Sequence, residues 1–161
     1  MASPKQYLED RLWPAFAYLG RTVAGILMAG VFSMAGIAIA WGIFLFFGFQ
    51  SAGIWFVLLL CSAGAGAGFG GFLAWLRIDD RHAGLALLTV VAGVAAGVGG
   101  AWLGYEYGAY RSALCCDRSG ATIAFSPATY SAFGAAILAN VAMLTFGLVR
   151  DRFGGILLKA N

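Results

Sequence analysis

The sequence predicts an all-α integral membrane protein: a four-helix bundle with glycine-rich helix packing and an N-terminal interfacial helix. Three observations carry this. Of 161 residues, 61% are hydrophobic and 11% charged, with a mean hydropathy of +0.86. No Asp, Glu, Lys, Arg or His occurs from Thr22 to Leu76, a run of 55 residues. The chain holds 24 glycines, about twice average usage. Such a composition excludes a water-soluble enzyme, a disordered tail and a nucleic-acid binder with a basic face. The whole chain, 1–161, reads as one membrane domain.

Residues 1–21 form the interfacial segment. Leu8, Leu12, Phe16 and Leu19 recur at helical spacing, with Lys5, Glu9 and Arg11 beside them. Tyr7, Trp13 and Tyr18 suit a headgroup layer, and Pro14 is expected to bend the segment. These charges leave no short apolar core ahead of a small-residue cleavage site, so the N-terminus is expected to be retained.

The 55-residue apolar run is too long for one crossing, since about 20 residues span the hydrocarbon core. The stretch Gly48-Phe49-Gln50-Ser51-Ala52-Gly53 is its one plausible turn. Spanning helices are therefore expected near 22–48 and 53–76, packed as a hairpin. A charged loop, Arg77 to His82, precedes a third helix near 83–108, which ends in an aromatic belt of Tyr105, Tyr107 and Tyr110. Glu106 reads as an interfacial anchor in that belt. A polar loop holding Cys115, Cys116, Asp117, Arg118 and Pro127 leads to a fourth helix near 128–149, which Arg150-Asp151-Arg152 stops.

Lys and Arg distribution sets orientation. The N-terminal segment carries Lys5, Arg11 and Arg21, the 77–82 loop Arg77 and Arg81, and the tail Arg150, Arg152 and Lys159. The opposite side carries only Arg111 and Arg118. Both termini and the 77–82 loop are expected on the cytoplasmic or matrix-like side of a bacterial or mitochondrial inner membrane.

Glycine spacing is the main packing signal. Gly93 and Gly97 lie four apart, as do Gly100, Gly104 and Gly108, the GxxxG pattern of a glycine zipper. Residues at i and i+4 share a helix face, and flat glycine faces let backbones approach where lipid supplies no hydrophobic drive. The stripes pack the four helices together, or one of them, on the third helix, docks another subunit or copy; the two can coexist. Trp41, Phe44, Phe46, Phe47, Trp55 and Phe56 are expected to face lipid or a neighbouring membrane protein.

Chemistry-bearing residues are sparse. The middles of all four helices lack ionisable groups, which transporters and proton pathways use at membrane depth. Asn140 is the most central strongly polar side chain and is expected to make an interhelical hydrogen bond. Arg77, Asp79, Asp80 and Arg81, with His82, form either a solvated turn that fixes topology or an ion-pair contact with a partner subunit. Adjacent Cys115 and Cys116 make no C-x-x-C motif, and Cys61 reads as inert packing in the second helix. No catalytic set, cofactor ligands or metal ligands are read; a bound lipid is compatible with the composition.

Length and glycine content are similar to those of rotary-ATPase proteolipids, but the membrane carboxylate those proteins need is missing, as it is for small multidrug exporters. The polar motif of fluoride channels is missing too. Residues 66–97 resemble the Tim17/Tim22/Tim23 group, which includes an accessory subunit of respiratory complex I. The likeness is a charged loop followed by a small-Gly-x-x-x-Gly stripe: Arg81, then Ala92, Gly93 and Gly97. Leu85 stands where that pattern has aspartate, the upstream aromatic is displaced to Phe69, and the group's usual orientation is opposite to the charge count. The resemblance implies four glycine-packed helices within a larger membrane assembly.

The expected function is a non-catalytic accessory subunit that packs against and stabilises a larger membrane complex, with respiratory and other energy-converting complexes as candidates. The alternative is a small oligomeric ion or solute channel or transporter. Expected partners are other membrane subunits, lipids and further copies of the chain, with no nucleic acid.

Overall fold

A computed structural model describes residues 4–48, 51–76, 83–115 and 126–157, nearly all of them helical. In order, the helices are α1 (Pro4–Phe47), α2 (Ala52–Trp75), α3 (Ala83–Cys115) and α4 (Pro127–Leu157). Each contains a stretch long and apolar enough to cross a membrane: Ala15–Phe47, Ala52–Trp75, Ala86–Ser112 and Pro127–Val149. This is the expected all-α four-helix architecture of a multi-pass membrane protein.

The first helix differs from expectation. The interfacial segment and the first span join into one 44-residue α1 with Pro14 inside it. A proline costs one backbone hydrogen bond and crowds the preceding turn. Fewer than four turns of helix precede it, and the long apolar helix behind it continues through. Helices α3 and α4 also run further than the apolar periodicity suggested, to Cys115 and Leu157. Charge ends a membrane span without ending a helix, so Arg111, Asp151 and Arg152 lie within helical backbone.

Local chemistry places the turns. At the end of α1, Gly48 adopts φ +62° and its N–H donates to the Phe44 carbonyl at 2.9 Å. That is a left-handed glycine cap, in which the residue after the helix satisfies an orphan carbonyl. Ser51 precedes α2 in extended conformation without a side-chain cap, so the N–H of Trp55 closes the first turn on the Ser51 carbonyl at 3.2 Å. Ser126 opens α4: its carbonyl accepts from the Thr129 N–H at 2.9 Å, and its hydroxyl lies 3.0 Å from that of Thr129. Pro127 sits at the first helical position, where a missing N–H costs nothing.

Among the described residues, every helix pair is in contact except α1 with α3. Thus α2 and α4 form a central pair, flanked on opposite sides by α1 and α3. The core is thin: Ala29, Ala40, Ala63, Ala67, Ala101, Ala135 and Ala139 are completely buried, and Met143 is the largest fully buried side chain. Where side chains are this small, backbones touch. A methyl group at Gly70 would lie 2.6 Å from the Met28 carbonyl oxygen, and one at Gly68 2.6 Å from the Val94 nitrogen. Gly36 and Gly66 abut the carbonyls of Ser62 and Phe32 in the same way.

Trp41, Phe44 and Trp55 cluster at the α1–α2 hairpin, with ring centroids 4.7–5.9 Å apart. Phe46 and Phe47 project outward, 84% and 64% exposed. Trp55 and Phe56 instead turn partly inward onto the core, Phe56 edge-on to Tyr105 at 4.8 Å, so they are not simply outward-facing. Cys61, expected to pack inside, lies on the outer face of α2.

Candidate functional site

The most polar point inside the bundle is built around Asn140, which is 2% exposed. Its Nδ2 donates to the Thr22 carbonyl at 2.9 Å, and its Oδ1 accepts from the Trp75 indole Nε1 at 2.9 Å. One side chain of α4 therefore ties α1 and α2 together. The expected interhelical hydrogen bond is present, doubled. Glycines make the space: a methyl group at Gly25 would press on the Asn140 amide, 3.0 Å from its Cγ and 3.2 Å from the Trp75 Nε1. On the other side, Gly147 faces the Trp75 ring at 3.1 Å, and Tyr18 of α1 packs beside it with centroids 6.0 Å apart. Trp75 is the last residue of α2, and helical side chains lean toward the N-terminus. Its indole thus points back into the bundle.

Among the described residues, the Asn140, Thr22 and Trp75 core of this node holds no ionisable group. Both polar atoms of the Asn140 amide are engaged, so its geometry holds helices together and offers no acid or base. Ser33 and Ser131 are fully buried with no hydrogen-bond partner for either hydroxyl. Among the described residues, no group of three or more His, Cys, Asp or Glu comes together.

The glycine stripe of α3 lies inside the molecule and serves two neighbours in turn. A methyl group at Gly97 would lie 2.5 Å from the Gly64 carbonyl oxygen of α2. Gly93 faces Met143 of α4 and the Gly68 backbone. Gly100 and Gly104 abut the backbone carbonyls of Gly134 and Tyr130 of α4, and Gly108 faces Pro127 at 2.8 Å. All five positions therefore meet the chain itself, and Gly100 and Gly104 also line a groove on the outer surface. Arg77, Asp79, Asp80 and Arg81 lie outside the described residues, as do His82 and Cys116.

Two apolar grooves mark the outer surface along α4. One, of about 490 Å³, runs between α1 and α4 and includes Gly30, Met34, Thr129, Ala132, Phe133 and Ile137. The other, of about 380 Å³, runs between α3 and α4 and includes Gly100, Gly104, Tyr107, Tyr130, Phe133 and Ile137. Phe133 and Ile137 are the ridge that separates them, 57% and 52% exposed.

Sequence reasoning missed Thr22, Gly25 and Trp75 as partners of Asn140, and both grooves. A tryptophan beside a charged loop reads as an interfacial anchor, and nothing in the pattern pairs it with a residue 65 positions away. Nothing lies within 4 Å of a methyl group at Gly30 or Gly42, so not every glycine of α1 serves packing.

No protein-family model, curated protein or solved structure matches the chain. The likeness to the Tim17/Tim22/Tim23 group rests on residues 66–97, where the structure sets Gly93 and Gly97 against α2 and α4.

Proposed function

We propose that this protein is a non-catalytic accessory subunit that packs against, and stabilises, a larger multi-subunit membrane complex. The observation that carries the reading is backbone contact across the bundle. With Gly64 against Gly97 and Gly100 against Gly134, the interior between α2, α3 and α4 is filled by main chain. A bundle packed this way is a stiff element of fixed shape. Its largest polar node spends its hydrogen bonds on holding helices together.

The outer surface supports the same reading. The α1–α2 hairpin ends in Leu45, Phe46 and Phe47, which are 64–84% exposed. Large aromatic and aliphatic side chains at membrane depth supply the packing area through which spanning helices associate. The α3 glycines are committed internally, so docking falls to outward faces such as this hairpin end.

The test is extraction of the full-length protein from its native membrane in mild detergent, followed by a native gel and mass spectrometry of the band. Migration within a defined larger assembly is expected. Migration alone or as a small homo-oligomer overturns the reading, and solute flux through the purified protein in liposomes would then replace it with a channel.

A further inference from the structure

The two grooves beside α4 share a ridge, a length and an end. We propose that together they form a binding site for one two-chain glycerophospholipid, whose acyl chains straddle α4 with one chain in each groove. The site is independent of which complex the protein joins.

Length and the chemistry at one end of the grooves point to the occupant. On α4 the first groove runs from Thr129 to Ile137 and the second from Tyr130 to Leu138. Eight residues at a rise of about 1.5 Å give about 12 Å. That is the depth of one leaflet, half of a hydrocarbon core about 30 Å thick. A spanning partner helix would need the full thickness. A flexible acyl chain matches an apolar groove of this length.

Shape and polarity agree with this. The first groove is closed at its deep end, where the Asn140–Thr22 hydrogen bond ties α4 to α1 just beyond Ile26. Its floor includes Ala132 and Ala136, both buried, and Gly30, whose missing side chain leaves open space. The second groove is floored by Gly100, Gly104 and Gly134. The lining of both begins in the first turn of α4, at Thr129 and Tyr130, beside the paired hydroxyls of Ser126 and Thr129. Arg111 stands at the same level: it lies one turn past Gly108, which touches Pro127, and it is exposed. A phosphodiester at this level meets a guanidinium, two hydroxyls and the amino end of a helix, each favourable for an anion. The two chains of one lipid, leaving one glycerol, would enter grooves separated only by the Phe133–Ile137 ridge.

Native mass spectrometry of the full-length protein, released from mild detergent, tests the site. The wild type is expected to carry a single phospholipid adduct. Gly30→Leu places a side chain in the first groove, where its Cβ meets nothing within 4 Å, so the protein is expected to fold and most of the adduct to be lost. Arg111→Gln is expected to release the lipid at lower activation energy. Leu87→Ala, on an exposed part of α3 beyond both grooves, is expected to leave it unchanged. Delipidated protein is expected to retain dioleoyl phosphatidylglycerol and not its single-chain lyso form. A wild type without adduct, an adduct that survives both Gly30→Leu and Arg111→Gln, or equal retention of the lyso lipid would overturn the proposal. Unfolding of Gly30→Leu would shift the test to Ile137→Ala, which opens the ridge and carries the same expected loss.

Discussion

Replacing Asn140 with leucine keeps the number and branching of heavy atoms, though with bulkier ends, and removes both polar contacts. The Trp75 indole N–H is then buried with no acceptor, and the Thr22 carbonyl loses one of its donors. Membrane hydrogen bonds measured by double-mutant cycles average about 0.6 kcal/mol and reach about 1.7. An orphaned buried donor costs about 1–3 kcal/mol. Two bonds and one orphan together give an expected loss of about 2–4 kcal/mol. Reversible unfolding by sodium dodecyl sulfate in mixed micelles reads this directly. The cycle with Trp75→Phe separates the terms, because a leucine at 140 no longer needs the indole donor. The double variant is therefore expected to be about 1 kcal/mol or more stabler than the sum of the singles implies. A loss below about 0.5 kcal/mol for Asn140→Leu, or strict additivity in the cycle, would refute the clamp.

Two glycines of α1 provide a matched comparison. Gly36 abuts the Ser62 carbonyl, whereas Gly42 has open space around it. Gly36→Ile is expected to cost about 3 kcal/mol or more through backbone displacement, while Gly42→Ile is neutral or better; thermal melts in detergent rank them. Gly97→Leu, aimed at the Gly64 carbonyl, is expected to abolish the folded bundle as judged by monodispersity on gel filtration. Gly48→Ala forces a methyl group into left-handed backbone and is expected to cost about 1–2 kcal/mol in the same unfolding assay. Ser33→Ala and Ser131→Ala remove buried hydroxyls that have no partner, so each is expected to leave stability unchanged or raised; a loss above about 1 kcal/mol would show a missed bond.

Fold class and helix number were legible because hydrocarbon imposes its own length scale on the sequence. Charge-free stretches separated by a turn or by charges have few alternatives to spanning helices. Helix ends were less legible. Apolar periodicity reports where lipid stops, while hydrogen bonding reports where the helix stops, and α1, α3 and α4 continue past their apolar segments. The four-residue glycine spacing identified faces without identifying what meets them. On α3 the glycines meet α2 at Gly97, α4 at Gly100, Gly104 and Gly108, and both at Gly93, because α3 packs against two helices at once. Asn140 stood out as a lone amide in an apolar run. Its partners did not, since one is a backbone carbonyl and the other an indole on a distant helix.

The internal commitment of the α3 glycines changes where a partner subunit is to be sought. Gly100→Leu or Gly104→Leu would collide with the backbone of α4 and disrupt the bundle itself, so loss of co-purification would say nothing about docking. Outward residues avoid that ambiguity. Site-specific photo-crosslinking in the native membrane, with the probe placed at Phe46 or Phe47, tests the scaffold function most directly. Both side chains lie mostly outside the bundle, so the probe leaves packing intact. An adduct of defined mass to a different membrane protein is expected. Adducts only to lipid or to a second copy of the chain, at these and all other outward positions, would contradict an accessory role.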